Sequence, residues 1–128
     1  MAEISPSGIA ATPANYAHAV LTTSPARWLH TSGVVPVAAD GSTPDRIGQQ
    51  ADIVWSNIAA MLRDAGMGAE HIVSVTTYVV AEHLGDLGAV MTARDTALDG
   101  HRAASTLVTV PALARPEWKM EIAIVAAA

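Results

Sequence analysis

The stretch from His71 to Val80, HIVSVTTYVV, constrains this chain more than any other. It is β-branched almost throughout and is apolar or semi-apolar at both parities. Alternate side chains of a strand point to opposite faces, so such a run belongs inside a sheet that is covered on both sides. The question for the rest of the chain is what supplies the two covers.

Helices can supply one. Thr43-Pro44-Asp45 reads as a helix start: threonine caps, proline suits the first helical position and aspartate meets the positive end of the dipole. Ile47, Ala51, Val54, Ile58, Met61, Leu62 and Ala65 follow at helical spacing, and Gly66 supplies a left-handed stop. Arg46, Gln49, Asp52, Ser56 and Arg63 fall on the other side, so this helix has one apolar face. A second helix is expected over 84–98, where Leu84, Leu87, Met91, Arg94 and Leu98 are spaced three and four apart before Asp99-Gly100. Two short strands, 16–22 and 27–31, are expected to form a hairpin through Ser24-Pro25. Residues 34–38 read as an extended edge because of Pro36, and Asp40-Gly41 as a turn. Further strands are expected over 105–110 and 119–126. In the last, Met120, Ile122, Ile124 and Ala126 point one way and Glu121, Ala123 and Val125 the other.

The order β-β-(β)-α-β-α-β-β gives an α+β fold in one domain over 1–128. It is a two-layer sandwich with a mixed five- or six-stranded sheet and two helices on one face. Residues 1–13 read as a loose lead-in. Two helices cover one face only, so the other face is expected to meet copies of the same chain. Composition agrees: the chain of 128 residues is 51% hydrophobic and only 15% charged. Its mean hydropathy of +0.31 is high for a domain whose surface-to-volume ratio is large.

Composition also excludes. Twelve acidic residues against seven basic ones give a net charge of −5, which opposes nucleic acid. The absence of cysteine removes disulfides, thiolate catalysis and cysteine-type zinc sites. No apolar run approaches the roughly 20 residues of a membrane helix, and Met1 to Ala10 lacks the basic start of a signal peptide. A cytoplasmic protein is expected. His18 and His30 fall on neighbouring strands without an evident third ligand, so no metal site is expected.

Several stretches resemble one family in order and spacing. They are Asn15-Tyr16-Ala17-His18-Ala19-Val20, Thr31 to Val37, Gln50-Ala51 through Asn57-Ile58, Ala65-Gly66, Ile72 to Val79, Ala104 to Val108 and Glu121 to Ala126. Together they resemble the RidA/YjgF family of reactive-intermediate deaminases. The resemblance implies a chorismate-mutase-like fold and a homotrimer with a central barrel of sheets and small-molecule pockets at the subunit interfaces. It also implies hydrolysis of imines or enamines to a carbonyl compound and ammonia, without metal or organic cofactor. No membrane or nucleic-acid partner is expected.

The chain also departs from the family's pattern. The family's deaminases carry Pro-Ala-Arg-Ser/Thr where this chain reads Ala103-Ala104-Ser105-Thr106, so Ser105 occupies the position of the arginine that grips the substrate carboxylate. Serine donates one hydrogen bond and neutralises nothing, which argues against a generalist 2-imino-acid deaminase. A common cysteine is replaced by Leu107 and a frequent asparagine by Met91. The expected site contains Glu121 and Ser105 as catalytic candidates, with Tyr16, Ser32, Gly33, Met91, Arg102, Leu107 and Trp118 as lining. Alternatives stand beside these roles. Glu121 is either an acid that holds and deprotonates a water or a structural acid. Tyr16 and Trp118 serve either the pocket or packing. Arg102 is either a substitute cation or an ordinary solvated one. At the level of function the alternatives are tautomerisation or cyclisation of a pathway intermediate, a non-catalytic binding trimer, or an RNA-acting protein.

Overall fold

The computed structural model describes residues 1–128. Its elements are β1 (Ala2–Ile4), β2 (Ala19–Leu21), β3 (Trp28–His30), α1 (Ile47–Asp64), β4 (Ile72–Val80), α2 (Leu87–Leu98), β5 (Ala104–Val110) and β6 (Met120–Ala127). The six strands divide into a four-stranded sheet of order β3-β6-β4-β5 and a two-stranded ribbon of β1 and β2. β4 and β5 run parallel with α2 as their crossover, and β6 is antiparallel to both β3 and β4.

The alternation of β6 sets the layers. Met120, Ile122, Ile124 and Ala126 are at most 2% exposed. Ile122 lies beside Thr77 and Ile124 beside Val75 of β4. This face joins one core with Ala51, Val54, Ile58 and Leu62 of α1 and with Val90, Ala93 and Leu98 of α2. The other parity brings together Trp28 and His30 of β3, Ala123 and Val125 of β6, Thr76 and Tyr78 of β4, and Val108 of β5. Neither helix covers that face, and Trp28 is 52% exposed on it. No helix is long and apolar enough to cross a membrane.

The expected hairpin between 16–22 and 27–31 does not form. β2 pairs with β1, Ala2 opposite Leu21, while β3 pairs with β6, Leu29 opposite Ala126. Leu29 packs against the core there, a gain that pairing with the exposed β2 would not provide. Ser24, in the left-handed region at φ 50°, turns the chain between the two destinations. The lead-in therefore holds a strand, and Arg102 secures it. The Arg102 guanidinium donates to Glu3 Oε1 (3.1 Å), Asn15 Oδ1 (3.2 Å), Thr12 Oγ1 (3.3 Å) and the Tyr16 carbonyl (2.6 Å). Of the extended run expected over 34–38, only Val34 pairs, opposite Ile122.

Both helices start later than the sequence signals indicate. α1 begins at Ile47 after Arg46, and no side chain caps it. The Thr43-Pro44-Asp45 segment is instead tied down by Gln50, which is fully buried. Its amide donates to the carbonyls of Pro44 and Glu117, both at 2.8 Å, and its oxygen accepts the Lys119 N–H at 2.9 Å. α2 is preceded by a 3-10 stretch, Ala81–Asp86, with a kink at His83. Leu84 there is exposed, so it gives a first helical turn nothing to anchor. The stops are as the sequence indicates: Gly66 (φ 70°) ends α1, and Asp99 (φ 47°) with Gly100 (φ 88°) ends α2. At the Asp40-Gly41 turn, hydrogen bonds from the hydroxyl and N–H of Ser42 hold the Asp40 carboxyl below the usual carboxylate range.

Two outcomes follow from these ties. Gln50→Leu leaves two carbonyls and one N–H without their partner and should lower unfolding free energy by about 2–3 kcal/mol, read as a lower urea midpoint at unchanged slope. Arg102→Ala should leave the core stable but speed amide hydrogen exchange over Ala2–Ile4 and Ala19–Leu21. Unchanged exchange there would show that the ribbon holds itself.

Candidate functional site

The sequence-predicted residues fall into two groups on opposite sides of the sheet. The first surrounds Glu121. After β3 the chain stays beside β6: Thr31 N–H donates to the Ile124 carbonyl (3.1 Å), the Thr31 hydroxyl accepts the Ile124 N–H (3.0 Å), and Val34 N–H donates to the Ile122 carbonyl (2.7 Å). Ser32 and Gly33 arch between these two tethers. A Cβ built on Gly33 would lie 1.8 Å from Glu121 Oε2, so the carboxylate rests directly on the glycine backbone. Glu121 projects on the helix-free face opposite Tyr78. It has no hydrogen-bond or ion-pair partner within the chain, which leaves its lone pairs free for water or ligand. Ser32 and Gly33 also line a groove of about 570 Å³ between the 29–37 segment and Asn57 and Met61 of α1.

The second group lies on β5 and α2. Ser105 stands beside Val75 and Leu107 beside Thr77, so both share the helix-covered parity. Arg94 of α2 is 6% exposed, and its Nη1 lies 3.5 Å from Ser105 Oγ. Its Nε and Nη2 donate to Asp95 Oδ1 at 3.1 and 3.0 Å. Met91, half-buried, is one turn earlier on the same side of α2. Tyr16 comes to the free edge of β5, because the next residue, Ala17, pairs with Ala104 and donates its N–H to the Ala103 carbonyl at 3.0 Å.

Of two further expected residues, Arg102 touches the second group only through the Tyr16 carbonyl, and Trp118 joins neither group. Arg102 is committed to the N-terminal segment by the four contacts above, so it is not a free pocket cation; its position just before β5 aims it at residues 3–16 rather than at Ser105. Trp118 lies in the turn before β6 with the Arg115 guanidinium 5.8 Å over its ring. Its indole N–H is buried without a partner. His18 is engaged with the Ala10 carbonyl at 2.6 Å, and no three His, Asp or Glu side chains gather as metal ligands. The sequence presents Arg94 only as one position of a 3-4-3-4 stripe, and its charge in that otherwise apolar stripe is the one signal of its contact with Ser105.

A family model described as endoribonuclease L-PSP matches residues 8–128. No curated protein sequence matches. Among solved structures, YyfB of Yersinia pestis, a Rid-family protein of unknown function, is 30% identical over 99% of this chain and 98% of its own, with a TM-score of 0.91. The YjgF gene product of E. coli is 25% identical over 99% and 98%, with a TM-score of 0.71. E. coli TdcF with bound serine is 22% identical over 100% and 99%, with a TM-score of 0.73. Two helices on a mixed sheet and these matches lead to one conclusion: this chain belongs to the endoribonuclease L-PSP family, the Rid/YjgF proteins.

Proposed function

We propose that this protein hydrolyses a small reactive imine or enamine, releasing ammonia and a carbonyl compound, in pockets formed between the copies of a homotrimer. The observation that carries this reading is the division of the site. Glu121 and Gly33 lie on one face of the sheet, and Ser105, Leu107 and Met91 on the other. Within one chain they cannot share a ligand. If the helix-free face of one copy meets the β5 edge of the next, each seam joins a Glu121 group to a Ser105 group. The half-exposed apolar patch of Trp28, Val125 and Val108 gives that contact a hydrophobic driving force.

The chemistry asks little of the protein. Glu121 orients a water and accepts its proton as oxygen bonds to the imine carbon. The C=N π pair moves to nitrogen, which takes up a proton. In the resulting carbinolamine the oxygen-bound proton passes by way of Glu121 to the nitrogen, and the C–N bond breaks to release ammonia and leave C=O. Gly33 lets the backbone close on the carboxylate and limits where it can point. TdcF, of the same fold, holds serine, and a molecule of that size suits such a pocket. The endoribonuclease description of the family offers RNA as a second substrate, but the net charge of −5 opposes a phosphate backbone.

With imines generated in situ by an amino-acid oxidase or amine oxidase, the protein should speed carbonyl formation. Glu121→Gln should reduce that gain about 100-fold. Gly33→Ala, which must push the carboxylate aside, should approach the same loss while the fold survives. A rate equal to the uncatalysed one with every imine would remove the hydrolase reading and leave a binding protein. Light scattering should give three times the chain mass of 13.2 kDa; a stable monomer would remove the shared pocket.

A further inference from the structure

Arg94 is the only charged residue among the buried ones. A guanidinium withdrawn from water needs its N–H groups met, and here they are met on one side only. Nε and Nη2 both address a single oxygen, Asp95 Oδ1. Nη1 has only the Ser105 hydroxyl, at the long distance of 3.5 Å. The end-on pair of nitrogens, Nη1 and Nη2, therefore retains donors without partners. That pair is a planar fork matched to the two oxygens of a carboxylate. Asp95 is 40% exposed, so it orients the guanidinium from a wet position rather than closing a dry ion pair. Packing alone does not account for the residue, since leucine or methionine would fill this stripe position without the desolvation cost. The short side chain at Ser105 completes the arrangement. A second arginine there would set two cations against each other, whereas serine leaves room and adds a hydroxyl beside the fork.

We infer that Arg94, reaching from α2, is the carboxylate-binding residue of this site and that Ser105 assists it. The inference rests on the proposed reading only in taking the β5–α2 group as a pocket wall. It returns a carboxylate to the ligand, against the expectation drawn from Ser105 alone, and lays the ligand's apolar remainder against Met91 and Leu107.

The test is titration of the intact oligomer with 2-oxobutanoate and, separately, with the uncharged ketone butanone, followed by ligand-observed NMR. Wild type should prefer the keto acid. Arg94→Met should weaken 2-oxobutanoate about 10- to 100-fold and leave butanone unchanged; Ser105→Ala should weaken the keto acid by less. If Arg94→Met does not fold, Arg94→Lys keeps the charge but loses the fork, and it should still lose about tenfold on the keto acid alone. The inference is overturned if wild type binds both ketones alike, or if a folded Arg94 variant binds 2-oxobutanoate as wild type does. Selective keto-acid binding without faster imine hydrolysis would remove the hydrolase reading and keep Arg94. Faster hydrolysis with KM unmoved by the Arg94 variants would do the reverse.

Discussion

β6 pairs with β4 from Met120 to Ala126, so its side chains can point only toward the helices or away from them. Met120, Ile122, Ile124 and Ala126 take the helix side and carry the core. Glu121 is thereby assigned to the other side, since its placement among the helices would expose the four apolar neighbours. A shift of one residue would exchange the two sets, which is why the register is strongly specified. The same ladder, continued through Thr77 to Leu107 and through Val75 to Ser105, assigns the β5 group to the helix side. Burial of four apolar side chains thus decides which polar groups can ever meet.

Under the proposed function this division gives the helix-free face a purpose. A domain of this size with an apolar sheet face is disposed to associate, and association is also what would bring the two groups together. The Glu121–Gly33 contact and the Arg94–Ser105 contact have different characters. One is a carboxylate without partners on a bare backbone; the other is a guanidinium incompletely met. Each has unused hydrogen-bonding capacity, one as acceptor and one as donor, as the two ends of a small polar ligand require.

Much of the framework is legible in the sequence because it is written at short range. The α1 stripe from Ile47 to Ala65, the Gly66 stop, the 3-4 spacing of α2 and the alternation of β6 are all periodicities of neighbouring residues. What is not legible is pairing at long range. The turn signal at Ser24-Pro25 is real, but it cannot report that Ala2–Ile4 competes for β2 and β6 for β3. Thr43 looks like a cap, yet Gln50, fully buried and joined to Glu117 and Lys119, decides where that loop sits. Site residues show the same limit. Glu121, Gly33 and Ser105 are identifiable from their motifs, but the face each occupies depends on register between strands far apart in the chain. Arg94 escapes notice because a period counts positions and ignores what a buried charge requires, and Arg102 misleads because its partners, Glu3 to Tyr16, are remote in sequence.

Under the proposed function each pocket takes one wall from each of two copies, and subunit mixing tests this most directly. Chains carrying Glu121→Gln and chains carrying a bulky Ser105→Trp, each inactive alone, are denatured together in equal amounts and refolded. With walls from different copies, some seams join two unaltered walls, and about a quarter of wild-type activity should return. Activity no higher than that of the two variants refolded separately would place both walls in one chain and contradict the account.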